Sequence, residues 1–128
     1  MILCDTNILI ELYKNNFVVI AELRKIGSKK IAISTITQAE LYYGALNKRE
    51  LQRIKRHLSQ LEILAVDISV SKQFMQLMEN YVLSHKLTIP DALIAATALV
   101  QNLDLYTLNQ KDFRFISNLR LYRSNLTS

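Results

Sequence analysis

Residues 2–10 read ILCDTNILI, an apolar run that stops for an acid, a hydroxyl and an amide and then resumes. The β-favouring start and the helical spacing of the second half predict a strand that ends before Asp5 and a helix that follows at once. An ionised Asp5 in apolar surroundings costs free energy unless it is paired or hydrated. Its simplest role is to cap the helix, because Asp, Thr and Asn side chains accept hydrogen bonds from free backbone N–H groups.

The rest of the chain repeats this alternation of short apolar runs and longer helical patterns. Strands are predicted at residues 2–4, 31–33, 63–66 and 105–106, with a last one at 121–122. Helices are predicted at residues 7–13, 17–26, 36–46, 49–60, 70–84 and 91–101. This order predicts an α/β fold, a single domain over residues 1–128 with a central parallel sheet of four to five strands and helices on both faces.

The composition is that of a compact globular protein. The chain has 128 residues, 50% of them hydrophobic, with only 2 Gly and 1 Pro, which argues against disorder. Its one cysteine, Cys4, falls in the first apolar run, where a reduced core residue is expected. The apolar runs are far shorter than the ~18 residues of a membrane span, and the start lacks the basic region of a secretion signal. We therefore expect a soluble cytoplasmic protein without membrane contact.

The charge of the chain is basic. It has 16 Lys and Arg against 11 Asp and Glu, a net charge of +5. A basic surface suits a polyanionic partner such as nucleic acid, although a merely solvated surface explains the same numbers. Two segments, NKRELQRIKRH at 47–57 and RKIGSKK at 24–30, carry much of this charge. They either hold phosphates or form solvated helix faces.

Four acids fall where a parallel sheet binds its ligands, beyond the carboxyl ends of the strands. They are Asp5, Glu40 in STITQAELYYGAL (34–46), Asp91 in TIPDALIAATALV (88–100) and Asp112 in LYTLNQKDF (105–113). Each has a plain alternative: Asp5 and Asp112 as helix caps, Glu40 as a surface carboxylate, and Asp91 as an acid at the positive end of a helix. Taken together, the four are predicted to converge.

Converging carboxylates favour a bound cation, because like charges at short range raise each other's pKa and disfavour ionisation. Oxygen ligands without a His or Cys pair suit Mg²⁺ or Mn²⁺. Such an ion lowers the pKa of a bound water for attack on a phosphodiester. His57 and His85 lie outside the acid motifs and are interpreted as surface or satisfied histidines.

The segments LCDTNILI, TITQAELYYGA, IPDALIAATAL and LYTLNQKDF resemble the PIN domain, and in particular the VapC toxins of bacterial toxin–antitoxin pairs. The resemblance runs through nearly the whole chain. It implies a Mg²⁺- or Mn²⁺-dependent endoribonuclease that acts on RNA and is inhibited by a VapB-like antitoxin. It also implies a homodimer, a higher hetero-oligomer with the antitoxin, and contact with operator DNA only through the antitoxin.

The same resemblance assigns the site residues. Asp5, Glu40 and Asp91 match the three core acids of the family, as catalytic and metal-binding residues. Asp112 is assigned as the fourth, although relatives differ on whether the position of Asn109 or that of Asp112 carries the acid.

Three further residues match polar positions of the family that steady the metal-binding acids. These are Thr6, Asn7 and Thr107, and Asn109 joins them if Asp112 is the fourth acid. Tyr42 and Tyr43, beside Glu40, either stack on an unpaired base or pack against a helix or another protomer.

Two other functions are compatible with an α/β chain of this size. One is a phosphoacceptor receiver domain with Asp67 as acceptor, although Asp5 has no adjacent acid and no Lys follows the last predicted strand. The other is a catalytically weak subunit whose task is to bind an antitoxin. The presence of all four acids favours the enzyme.

Overall fold

The computed structural model describes residues 1–124 and, in this range, gives four β-strands and six α-helices. The strands are β1 Ile2–Cys4, β2 Ile31–Ser34, β3 Glu62–Leu64 and β4 Asp104–Tyr106. The α-helices are α1 Thr6–Tyr13, α2 Phe17–Ile26, α3 Thr35–Tyr43, α4 Lys48–Leu58, α5 Ile68–His85 and α6 Ile89–Gln101. Two 3₁₀ helices, Ser28–Lys30 and Gln110–Asp112, precede β2 and follow β4.

The four strands form a parallel sheet in the order β3-β2-β1-β4. The chain passes from β1 to β2 and β3 on one side and then returns to place β4 on the other side of β1. The strand order therefore reverses between β1 and β4, and a crevice at such a reversal is the usual ligand site of an open parallel sheet.

Both faces of the sheet are covered, because successive residues of each strand point to opposite sides. On one face Leu3, Ala32 and Leu105 pack with the buried residues of α5 and α6. On the other face Cys4, Ile33 and Tyr106 pack with α1, α2 and α4. The predicted α/β class, the parallel sheet and the helices on both faces are confirmed, and Cys4 is a buried core residue as expected.

Most of the predicted elements differ from the observed ones at one or both ends, and two of these differences have a clear local reason. The third strand lies at 62–64 rather than 63–66, because its partner β2 ends at Ser34, which pairs with Leu64 and caps α3. Helix α3 ends at Tyr43 rather than residue 46, since Gly44 disfavours helix and Asn47 caps α4. The strand predicted at 121–122 is reduced to a single bridge between Leu105 and Leu121.

The predicted single domain of residues 1–128 includes residues 125–128, which lie outside the described part of the chain. Among residues 1–124, no helix combines the length and apolar character that spanning a bilayer requires.

Candidate active site

Asp5 stands at the reversal of strand order, directly after β1. Its backbone N–H donates to the carbonyl oxygen of Tyr106 at 2.9 Å, so the pairing of β1 with β4 continues to this residue. Its Oδ1 accepts a hydrogen bond from the N–H of Thr6 at 2.8 Å, and its Oδ2 accepts one from the hydroxyl of Thr107 at 2.8 Å. Asp5 therefore caps α1, as the simple interpretation predicts, and is also held at the carboxyl edge of the sheet by β4.

Glu40 is connected to the same edge through two threonine hydroxyls. Its Oε1 accepts a hydrogen bond from the hydroxyl of Thr6 at 2.8 Å. The Thr6 and Thr37 hydroxyl oxygens are 2.9 Å apart. Because the single Thr6 proton goes to Glu40, Thr37 is the donor of that second bond. This chain of hydroxyls fixes Glu40 of α3 relative to the N-terminus of α1.

Thr37 was missed by the sequence analysis, although it is completely buried. The sequence carries only part of the signal, because the spacing puts Thr37 three residues before Glu40 on the same face of α3, whereas the burial of Thr37 and its contact with Thr6 appear only in the structure. A buried threonine on an acidic helix face indicates a hydroxyl that positions a neighbour, since buried polar groups are normally hydrogen-bonded.

Asp91 and Asp112 approach the site from two further elements. Asp91 lies in the first turn of α6, half-buried, and its N–H donates to the hydroxyl of the capping residue Thr88 at 3.3 Å. Asp112 is the last residue of the 3₁₀ helix after β4 and is exposed. Its negative charge raises the pKa of both Asp5 and Asp91, so Asp112 belongs to the same electrostatic group.

The carboxylates perturb one another, as expected of a like-charge cluster. Burial is the main cause that raises the pKa of Asp5, and the charges of Glu40 and Asp112 add to it, while hydrogen bonds from Thr107 and Thr6 oppose it. Burial, followed by the charge of Asp5, raises the pKa of Asp91 to about 6. The structure thus brings the four predicted acids within electrostatic range of one another.

The remaining polar residues of the motif hold the loop after β4. The N–H of Asn109 donates to the hydroxyl of Thr107 at 3.1 Å. The N–H of Leu108 donates to the side-chain oxygen of Asn7 at 3.4 Å. Thr6 and Thr107 therefore contact the acids directly, whereas Asn7 and Asn109 fix the loop that carries Thr107 and leads to Asp112.

The carboxylate oxygens of the site suit a hard divalent cation that takes only some of its ligands from the protein. Within the described range, no three His, Cys, Asp or Glu side chains are grouped as ligands of one metal ion. Mg²⁺ is usually held by one or two carboxylates, several waters and a substrate phosphate, so a closed cage is not required. The raised pKa values of Asp5 and Asp91 have the sign that a cation would relieve.

The sequence of this chain matches the family model of the PIN domain over residues 2–118. The chain belongs to the PIN domain family. "Ribonuclease VapC10" of Mycobacterium tuberculosis is 32% identical over 124 residues, which covers 94% of this chain and 91% of that protein.

Solved structures of related proteins match most of this chain. In a toxin–antitoxin complex from Klebsiella pneumoniae, one chain matches with a TM-score of 0.81 at 33% identity, covering 97% of this chain and 100% of that one. In DNA-bound VapBC from Salmonella typhimurium the TM-score is 0.84 at 26% identity, covering 94% and 96%.

Membership in the PIN domain family decides against the receiver alternative. Asp67, the acceptor in that alternative, follows β3, the outer strand of the sheet and two strands away from β1. Its carboxylate accepts a hydrogen bond from the N–H of Val70 at 2.9 Å and caps α5. Asp67 is therefore a helix cap at a distance from the acids of the PIN domain site.

Proposed function

We propose that this protein is the toxin of a VapBC-type toxin–antitoxin module. It would be a Mg²⁺- or Mn²⁺-dependent endoribonuclease whose metal-binding and catalytic residues are Asp5, Glu40, Asp91 and Asp112. The relatives are named ribonucleases, and the structural neighbours are toxin–antitoxin complexes. The observation that carries the proposal is the position of Asp5, at the reversal of strand order and in a group of four acids from separate parts of the chain.

In this mechanism, the chain's own residues supply oriented negative charge. Thr107 and Thr6 each donate one hydrogen bond to a carboxylate, which leaves further lone pairs of Asp5 and Glu40 available at the edge of the sheet. The four acids would hold the ion, some of them through bound waters. When bound, the ion supplies a more acidic water and neutralises charge on the phosphodiester. Lys48 and Arg49, exposed at the start of α4, are available to bind RNA phosphates.

Replacement of Asp5 by Asn tests the proposal. RNA incubated with wild-type protein and Mg²⁺ should be cut, and EDTA should prevent the cleavage. The Asp5→Asn variant keeps the helix cap but loses the charge. Loss of a residue that only supports a metal ligand lowers activity by up to about a hundredfold. Because Asp5 is proposed to be a ligand itself, we expect the cleavage rate to fall by at least this factor.

The matched control for this experiment is Asp104→Asn. Asp104 begins β4, at the opposite edge of the sheet, where it forms an exposed ion pair with Arg120. This variant should cleave RNA as the wild type does. Cleavage that survives EDTA, or full activity of the Asp5→Asn variant with an unchanged melting temperature, would contradict a metal-dependent site at Asp5.

An antitoxin is the proposed protein partner. The neighbours from Klebsiella pneumoniae and Salmonella typhimurium are a toxin–antitoxin complex and a DNA-bound VapBC complex, in which this chain corresponds to one component. We infer a hetero-oligomer with a VapB-like protein, and contact with operator DNA through that protein. The alternative of a catalytically weak binding subunit is disfavoured by the four acids.

The toxin is also proposed to be a homodimer. Ile68, Met75 and Val82 are exposed on α5 and recur every seven residues, so they form one apolar line along a helix of 18 residues. Lys72 and Glu79 flank this line on the exposed surface. A second copy of α5 in antiparallel orientation, centred on Met75, would cover the apolar line and place Lys72 near Glu79 of that copy.

A further inference from the structure

A recess of about 400 Å³ lies beside the acids, between α1 and α3. Its lining consists of Thr6, Ile10, Ala39, Glu40 and Tyr43. The volume falls in the range of about 300–1,000 Å³ that is typical of small-ligand pockets. Two of the lining residues, Thr6 and Glu40, are the hydrogen-bonded pair of the candidate active site. An occupant of the recess would therefore lie directly next to the acids.

The wall of this recess is an aromatic ring that packs on little of the described chain. Tyr43, one helical turn after Glu40 in α3, is 94% exposed. Its neighbour Tyr42 is half-buried, packs against the core below α1 and α2, and accepts a hydrogen bond from Gln38 at 3.0 Å. The interpretation that the tyrosines pack against a helix is thus confirmed for Tyr42. Among residues 1–124 Tyr43 has no such packing, and its packing against another protomer stays a prediction.

We propose that Tyr43 is a stacking platform for an unpaired RNA base, which positions the neighbouring phosphate at Glu40 and Asp5. The inference rests on the proposed ribonuclease function and adds a residue that selects single-stranded substrate. Side chains three residues apart on a helix are ~5–6 Å apart at their Cβ atoms, which makes the platform a near neighbour of the acid. Ile10 and Ala39 provide an apolar floor for the edge of the base.

An RNA strand suits this place better than a protein segment for reasons of charge. Four residues separate Tyr43 from α4, whose exposed first residues are Lys48 and Arg49. An RNA strand with a base stacked on Tyr43 would therefore have basic residues near its phosphates on one side. On the other side it would have the acids, whose negative charge a bound cation would offset. Stacking on aromatic rings is the common way in which proteins hold single-stranded bases, and every base has a face that can stack.

Variants at position 43 test the platform by steady-state cleavage of a single-stranded RNA oligonucleotide with Mg²⁺. Tyr43→Ala removes the ring, and we expect KM to rise about tenfold or more, with a much smaller change in kcat, in line with the worth of one base–aromatic contact. Tyr43→Phe and Tyr43→Trp keep a ring and should restore KM. Leu83→Ala is the control, since Leu83 is equally exposed, at 93%, but lies on α5.

A binding measurement separates this inference from the proposed function. In the Asp5→Asn background with Mg²⁺, an oligonucleotide that carries a fluorescent purine analogue should be quenched when it binds, and additional Tyr43→Ala should remove the quenching. If wild-type protein cleaves no RNA, the ribonuclease proposal fails, while this assay still decides whether Tyr43 stacks on a base.

Two results would overturn the platform. One is an unchanged KM in Tyr43→Ala together with unchanged quenching. The other is a Tyr43→Ala variant that keeps the wild-type KM but no longer co-purifies with the antitoxin or no longer self-associates in sedimentation. That second result would assign the ring to a protein interface instead of RNA.

Discussion

Asp5 shows how one residue can satisfy a structural and a chemical requirement at once. One carboxylate oxygen caps α1, and the other accepts the Thr107 hydroxyl from β4. The helix cap compensates part of the cost of burying an acid that is only 6% exposed. The simple and the functional interpretations of ILCDTNILI are therefore compatible, since a capping carboxylate retains lone pairs for a further ligand.

The pKa of Asp91, raised by burial and by neighbouring charge from 3.8 to about 6, makes the stability of the fold depend on pH. The folded chain binds this proton more tightly than the unfolded chain, so the free energy of unfolding should fall as pH rises from about 4 to about 6. Asp91→Asn should weaken this decline and be more stable than wild type at pH 7, by on the order of 1 kcal/mol after allowance for solvent screening.

Thermal melts in EDTA across this pH range measure the effect. Asp104→Asn serves as the control, because it removes an acid outside the cluster and should leave the decline intact. A wild-type melting temperature that rises steadily from pH 4 to pH 7, with no difference from Asp91→Asn, would show that the folded chain does not raise the pKa of Asp91.

At the residue scale, Asp5, Asp91 and Asp112 could be located from sequence because each follows a strand or lies near the start of a helix. Glu40 lies in the second half of α3 and was located by the resemblance to the family. The network of hydroxyl hydrogen bonds around Glu40 could not be located from the sequence. Whether Thr37 donates to Thr6, and Thr6 to Glu40, depends on how closely α1 approaches α3, which no local pattern encodes. Whether Asp112 or Asn109 completes the group of metal-binding residues likewise depends on the path of the loop after β4.

At the scale of elements, helix α2 and the chain after β4 are joined by a buried carboxylate. Glu22 of α2 is fully buried and accepts hydrogen bonds from the hydroxyls of Tyr122 and Ser124, the latter at 2.9 Å. Neither residue belongs to a predicted or observed functional motif. As far as residue 124, the segment after β4 forms a single bridge to the sheet, so the contact with Glu22 contributes to holding it in place.

Tyr122→Phe should therefore destabilise the fold by about 1–3 kcal/mol, because it removes one donor from a buried carboxylate. Chemical denaturation with urea measures the loss. Tyr13→Phe is the matched control: it removes a hydroxyl that is hydrogen-bonded to His57 at 2.8 Å, but at an exposed position, and the loss there should be smaller. Equal stability of Tyr122→Phe and wild type would mean that Glu22 does not depend on this bond.

The boundaries of the elements were less predictable than their order. The alternation of apolar runs and helical spacing determined the layers, since a parallel sheet must bury both faces. The end of β3 depended instead on its partner, because β2 terminates where Ser34 turns to cap α3. A run of apolar residues such as 63–66 carries no information about where the neighbouring strand stops.

At the scale of the whole molecule, the described chain leaves an apolar line on α5 that its own core does not use. The proposed homodimer explains it, and Met75→Glu tests it by placing a charge at the centre of the line. Because an unpaired charge in an apolar interface is costly, the variant should sediment as a monomer at concentrations where the wild type is a dimer.

The control for the dimer is Gln76→Glu, an identical charge at the next residue of α5, which is exposed and off the line. Successive residues of a helix point about 100° apart, so this variant should remain dimeric. Loss of dimer in both variants would indicate a general effect of charge on this basic protein. A dimeric Met75→Glu variant would place the contact elsewhere, and the line on α5 would then be left for the antitoxin to cover.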